Sequence, residues 1–355
     1  MNILLLGDFS SLHKNLKDGL IELGHDVTIA SDGDGYKSTP RDLDLNPMLP
    51  SYLGKIETRI KLFFYLYTKF KEYDVVQLIN TFHFYKVFFP NKFFIKKLCS
   101  NNKKVFLLAA GTDSYYWKYG KTRMEYSPHN DVLKYDLKSL THPYESKKMF
   151  NFNEYVACSV DGIIPVSYEY MTCYKNHPKL LNFIEMPMNS NEITYSENIV
   201  GDKLIIFHGL NRYGFKGTRH VEKAFRFLKQ KYPNDLELII KGNMPLKDYL
   251  LMMQKTNVVI DQTYGYSQGM NGIYALAMGK IVLGGAEPES LKCMEIDESP
   301  VINIKPNAKS IIHKIEDLII KKKFITEMGL NSRKFVERIH GHKKVASKFI
   351  ATWKI

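Results

Sequence analysis

The chain has 355 residues, a formal net charge of +13, and 45% hydrophobic and 25% charged residues. That length exceeds one ordinary α/β core, so two domains are expected, and the composition is that of a soluble globular protein. No window holds about eighteen uncharged apolar residues, which excludes a transmembrane helix.

The first apolar run meets Gly7-Asp8 directly, and residues 3–6 read as a buried first strand rather than a signal peptide. Residues 13–23 follow as a helix, 24–26 as a turn and 27–30 as a second strand, which makes a βαβ unit. Short apolar runs at 75–79, 105–109 and 162–166 read as further buried strands. Residues 115–145 are polar and Tyr-rich without a clear period, and are expected as a long loop or irregular helices. A second series begins after Pro187. Strands are expected at 204–208, 237–241, 258–261 and 281–283, and helices at 217–231, 246–254, 271–278 and 309–321. Residues 332–353 form an amphipathic helix or pair. Two successive α/β series of similar size predict two Rossmann-like domains. Cys99, Cys158, Cys173 and Cys293 show no CxxC or Cys/His spacing. That argues against zinc and against a disulfide framework, and fits a reducing cytoplasm.

In doubly wound sheets, ligands collect at the carboxyl ends of strands, where helix N-termini present unpaired N–H groups. Four loops lie there. Gly7-Asp8-Phe9-Ser10-Ser11 allows close backbone approach at Gly7, with serines able to cap the helix; it is not GxGxxG, and a simple capped turn is an equal reading. Gly111-Thr112-Asp113 places a hydroxyl and a carboxylate where sugar hydroxyls bind, or forms a plain turn. The stretch 209–217 carries Gly209, Arg212, Lys216 and Gly217 before a helix: a forked donor, a point charge and accessible backbone suit a pyrophosphate, against solvated surface cations as the alternative. The stretch 264–272 follows Asp261 and Gln262 and opens the next helix with Gly269, Met270 and Asn271. Two anion-suited loops in one half point to a nucleoside diphosphate.

At these residues the chain resembles the GT-B glycosyltransferases, particularly the large retaining group called family 4. Lys216-Gly217 is similar to that family's KG step, and residues 275–282, with Gly279, to its small-residue helix ending in G-x-P-V. Residues 161–167 resemble the last N-domain strand, 185–189 the linker entry, 333–337 the closing helix, and Gly111-Thr112-Asp113 a G-S/T-D loop. One departure stands out: the family's Glu-x7-Glu pair falls at Tyr266 and Tyr274. Tyr274 can still hydrogen-bond a ribose or stack on a base, but without a bidentate carboxylate. The resemblance implies an α/β GT-B fold, with two Rossmann-like domains facing across a cleft. An acceptor domain is expected at 1–187, a nucleotide-sugar domain at 188–335, and a helix at 336–355 crossing back to the first.

It further implies sugar transfer from a nucleoside diphosphate sugar, with retention and no bound cofactor or metal, to a glycan or lipid-linked acceptor in bacterial surface polysaccharide synthesis. Arg212 and Lys216 are the expected catalytic cations. Gly7, Gly209, Asn243, Asp261, Gln262, Gly269, Met270, Asn271 and Tyr274 are expected at the donor, and Gly111, Thr112 and Asp113 at the acceptor. No general base stands out; His83 and His142 lie in N-domain loops but match no motif. The alternatives are a non-catalytic GT-B binding subunit and a nucleotide-sugar epimerase.

Residues 55–104 hold eleven Lys/Arg against three acids, interleaved with Phe and Tyr. Lys61, Lys69 and Lys71 alternate with Phe63, Phe64, Tyr67 and Phe70, and Lys86, Lys92, Lys96 and Lys97 with Phe88, Phe89, Phe93 and Phe94. This is the composition of a membrane-interface helix, or of a Phe-rich core with a basic rim. No nucleic-acid motif accompanies it, so no nucleic-acid partner is expected. The expected location is the cytoplasm, including the inner face of the cell membrane.

Overall fold

The computed structural model describes residues 1–35, 38–81, 91–242, 244 and 246–354. The chain divides into two compact units, the first comprising Met1–Tyr119, Pro143–Asn189 and His342–Ile355, the second Gly120–His142 and Ser190–Gly341.

The first unit is built on a parallel sheet of β1 (Asn2–Leu6), β2 (Asp26–Ser31), β3 (Leu43–Asp44), β4 (Val75–Ile79), β5 (Lys104–Ala109) and β6 (Gly162–Pro165), in the order β3-β2-β1-β4-β5-β6. Strands covered by helices on both faces need no polar side, and β4 and β6 are buried along their whole length. Parallel neighbours require crossovers. These are supplied by α1 (Leu12–Glu22), α2 (Ser51–Thr68) and α3 (Asn91–Asn101). The chain runs outward from β1 to β3 and then returns to the other flank of β1, so the strand order reverses between β1 and β4. Loops after those two strands therefore open at a switch point.

Residues 115–145 are more ordered than their composition suggests. They begin in α4 (Ser114–Arg123), turn at His129–Asp131, and continue through a wide π-type turn, Val132–Leu137. Gly120–His142 groups with the second unit. The C-terminal stretch is a pair of helices rather than one. Ile325–Phe335 runs into a π-type turn, Val336–His340, and a new helix, His342–Trp353, starts after Gly341. That last helix belongs to the first unit and lies against α1. A Cβ on Gly19 would stand 2.4 Å from the His342 carbonyl oxygen, so only glycine lets the two backbones meet. His342 Nε2 meets the Glu22 carboxylate at 2.7 Å, and Val345, Phe349 and Trp353 are buried.

The second unit holds a parallel sheet ordered β11-β10-β9-β7-β8, from β7 (Leu204–Leu210), β8 (Leu236–Gly242), β9 (Val258–Ile260), β10 (Ile281–Gly284) and β11 (Ile302–Asn303). Its core interleaves strand residues Ile206, Ile260 and Leu283 with Val221 and Leu228 from the helix Thr218–Lys231 and Ile315 from the helix Ala308–Ile320. Among the described residues, no helix is long and apolar enough to cross a membrane.

Candidate functional site

In the second unit, β7 and β9 are adjacent, and the loops at their carboxyl ends carry most of the expected donor residues. β7 ends at Leu210, two residues further than expected, so Gly209 is a strand residue opposite Lys241. After it, Tyr213–Lys216 forms a single helical turn, which Gly217 ends in the left-handed region at φ 66°. The Thr263 N–H donates to the Lys216 carbonyl at 3.1 Å, tying this turn to the loop after β9.

Lys216 and Asp261 form a buried ion pair, Nζ to Oδ1 at 2.8 Å. The second carboxylate oxygen accepts the Gly269 N–H at 3.2 Å. Burial alone would raise the Asp261 carboxyl, but Lys216 and the Gly269 amide outweigh it and hold it below the usual carboxylate range. Gly269 caps the helix Met270–Ala277. The first-turn amides of that helix, at Met270, Asn271 and Gly272, have no partner within the helix itself. A fixed ammonium, an ionised carboxylate and a helix N-terminus thus converge at one strand end. Such an arrangement holds a cation firmly in place beside amides suited to an anion.

Beneath the pair lies His208. Its Nδ1–H donates to the Ile260 carbonyl at 2.9 Å, so Nε2 is the acceptor for the Thr218 hydroxyl at 3.0 Å. Burial, reinforced by Lys216, pushes the imidazole down to about 4. His208 is therefore neutral at physiological pH, and sequence alone hides it inside an apolar strand.

The other expected donor residues fall around this centre. Arg212 is exposed, with its guanidinium 3.7 Å over the Phe215 ring. Gln262 is half-buried and lies against Gly265. Asn271 accepts the Tyr249 hydroxyl at 2.5 Å. Tyr274 is half-buried, its hydroxyl makes no hydrogen bond to a described residue, and burial raises its pKa. Asn243 lies outside the described residues, as do His83, Lys86, Phe88 and Phe89. Tyr266, at the family's first glutamate position, is turned inward: its ring stacks on Tyr126 at 4.5 Å, and its hydroxyl oxygen accepts the Glu125 N–H at 2.8 Å.

Three acids that the sequence reading does not single out organise the same unit. Asp136 accepts the Gly214 and Phe215 amides at 2.8 and 2.9 Å. The glycine-rich stretch 209–217 does meet an anion there, but the anion is the chain's own carboxylate. Asp131 takes Arg219 Nε at 2.5 Å and the Tyr264 hydroxyl at 2.7 Å. Glu287 accepts the Tyr126 hydroxyl at 2.6 Å and pairs with Lys305 at 3.0 Å. Burial would raise the Glu287 carboxyl, yet Tyr126, Asn303 and Lys305 leave it below its ordinary value. No local motif marks these contacts, since the partners are distant in sequence.

In the first unit, the two expected loops are largely used up by the fold. The Gly7 N–H donates to Ala30, and the Gly7 carbonyl accepts His13 Nδ1–H at 2.6 Å. Ser11 stands at the N-cap of α1 without a capping bond from its side chain, and the Asp8 carboxylate accepts the His13 N–H at 2.9 Å instead. Burial pushes that carboxyl up to about 6. Gly111 and Thr112 are half-buried at the end of β5. Asp113 turns inward, where it caps α4 through the Tyr116 N–H at 2.8 Å and accepts the buried Tyr174 hydroxyl at 2.6 Å. Burial raises it to about 6.

Among the described residues, Glu154, Cys158 and His177 have ligand atoms close enough to face one metal ion. The Lys179 N–H donates to His177 Nδ1 at 3.2 Å, which leaves the ring proton on Nε2, 4.0 Å from the Cys158 sulfur. With Cys158 Sγ 3.7 Å from Glu154 Oε1 and Tyr115 donating to the same carboxylate, the group is arranged as a hydrogen-bond chain.

No protein-family model matches the chain, and no curated protein matches it in sequence. Solved structures do match in fold. Sucrose-phosphate synthase from Thermosynechococcus elongatus is 12% identical, with 100% of this chain and 98% of that one covered, at a TM-score of 0.63. Anabaena HepE, solved in complex with UDP and glucose, is 13% identical, with 100% and 99% covered, at 0.62. UDP-GlcNAc 2-epimerase from Neisseria meningitidis, bound to UDP-GlcNAc, is 11% identical, with 99% of each chain covered, at 0.53. With two parallel α/β units and full-length likeness to such structures, the chain has the fold of the GT-B glycosyltransferases.

Proposed function

We propose that this protein is a glycosyltransferase that takes a nucleoside diphosphate sugar in its second unit and transfers the sugar to a glycan or lipid-linked acceptor. The observation that carries the proposal is the Lys216–Asp261 pair beside the first turn of the helix Met270–Ala277. Breaking a sugar–phosphate bond builds negative charge on the departing diphosphate, and donors already fixed in place lower that barrier most. Asp261 holds the Lys216 ammonium at the strand end, and the amides of Met270, Asn271 and Gly272 point from the same place. Arg212, exposed on its aromatic shelf, adds a forked donor from the neighbouring loop. Tyr274 offers a hydroxyl for the ribose. HepE, solved with UDP and glucose, supports a UDP-type donor. Retention and a surface-polysaccharide acceptor, which the family resemblance implies, belong to the same proposal.

Titration with UDP by calorimetry tests it. Lys216→Ala and Arg212→Ala should each weaken binding by about tenfold or more, the loss of one charge-assisted contact. Because Lys216→Ala leaves Asp261 buried without its cation, the double variant Lys216→Met/Asp261→Asn serves as a folded control that still loses UDP. Unchanged affinity in both single variants would remove the diphosphate assignment. Release of UDP from a UDP-sugar only when an acceptor is present distinguishes transfer from the epimerisation performed by the Neisseria relative in fold.

A further inference from the structure

We infer that α2 docks the protein on an anionic lipid surface, with its outward face seated in the membrane interface. A helix on a domain surface ordinarily turns one apolar stripe inward and a polar one to water. In α2 the inward stripe is present: Leu62 and Leu66 are buried in the first unit's core, with Phe70 just beyond the helix. The outward side is apolar as well. Leu53, Ile56, Ile60, Phe63, Phe64 and Tyr67 are all exposed, Ile60 at 64% and Phe64 at 58%. At 3.6 residues per turn these side chains fall within an arc of about 120° that contains no charged residue. A surface helix that is apolar on both sides has a second apolar phase to cover.

Its surroundings select the phase. Glu57, the acid within α2, has its carboxylate engaged by the Met48 and Leu49 amides at 2.8–3.0 Å. That contact holds Met48, 88% exposed, beside α2. Lys55, Lys69 and Lys71 are exposed on or just after the helix, and α3, which packs on α2, adds exposed Lys92 and Lys96 and the exposed ring of Phe93. Lys97 reaches over the Tyr67 ring at 5.2 Å, joining the cationic edge to the aromatic face. Exposed aromatic and branched side chains on a helix that also carries exposed lysines at both ends, with further lysines on its neighbour, match a layer of apolar chains under anionic headgroups.

The inference stands independently of the donor site, and vesicle co-sedimentation of the full chain tests it. The protein should pellet with phosphatidylcholine vesicles containing phosphatidylglycerol, and less with phosphatidylcholine alone. Ile60→Glu/Phe64→Glu, which changes only outward side chains, should lower the partition coefficient by about tenfold or more, with an unchanged melting temperature. Lys55→Gln and Lys69→Gln should each lower it about fivefold on the anionic vesicles alone. Equal pelleting of wild type and the double glutamate variant would overturn the inference. So would a concentration-dependent dimer that this variant abolishes without any vesicle binding, since the face would then cover a second copy. UDP affinity, measured on the same variants, reports separately on the donor reading.

Discussion

Tyr274 occupies the position where family resemblance expects a carboxylate on the ribose, and it offers a half-buried phenol instead. A neutral hydroxyl gives one ordinary hydrogen bond, worth about 1 kcal/mol, where a carboxylate gives two charge-assisted ones. Tyr274→Phe should therefore raise the Kd for UDP about fivefold and leave the melting temperature unchanged; equal affinities by calorimetry would show that the hydroxyl is idle. His208 is held neutral, with its folded pKa at about 4 against an ordinary 6.5. Between those values the unfolded chain binds a proton that the folded chain refuses, so the contribution is fully present above 6.5 and is lost as pH falls towards 4. Glutamine can copy both hydrogen bonds without titrating. His208→Gln should thus lose on the order of 2 kcal/mol less stability than wild type between about pH 7.5 and about pH 5, read by urea unfolding. Residue types at strand ends made Lys216 and Asp261 legible in the sequence. The direction of a side chain was not: Asp113 reads the same whether it meets a sugar or caps α4. Asp131 and Asp136 were illegible because their partners lie some eighty residues away.

At the scale of elements, Gly217 joins the turn Tyr213–Lys216 to the helix Thr218–Lys231. It has a left-handed backbone, and a Cβ there would stand 2.0 Å from the Thr263 hydroxyl oxygen. Both effects act against alanine, so Gly217→Ala should cost at least about 2 kcal/mol in urea unfolding. A stability equal to wild type would show that the loop relaxes freely. The same glycine explains why a KG step is readable at all, since few residues satisfy such a junction. The main strands of the second unit and its helices at 218–231, 246–255, 270–277 and 308–320 were legible to within one or two residues, because buried parallel strands and amphipathic helices write their periods directly. The helix Ile325–Phe335, by contrast, starts seven residues before the expected stretch at 332–353. The two-residue strands β3 and β11 were not, because their pairing is set by the neighbouring edge rather than by their own pattern. α4 escaped for another reason: Tyr115, Tyr116 and Trp117 are buried in succession, so its apolar positions do not repeat at the helical period, although Lys118, Lys121 and Thr122 are exposed along one side.

For the whole molecule, length and the doubling of the α/β pattern were enough to expect two Rossmann-like units, and two parallel sheets are found. What the linear order concealed is that neither unit is one continuous stretch, since Gly120–His142 leaves the first to join the second. That segment supplies Asp131, Asp136 and Tyr126, so the second unit is completed by residues from the first half of the chain.

The helix His342–Trp353 against α1 carries a further consequence, one of timing. A ribosome makes α1 more than three hundred residues before its packing partner. Domains generally fold as they emerge, the earlier before the later. Here that order is reversed for closure: the second unit has all its residues once Gly341 is out, while the first still lacks the helix that covers Gly19. Until that helix emerges the α1 surface stays open, and the unit begun first is sealed after the other.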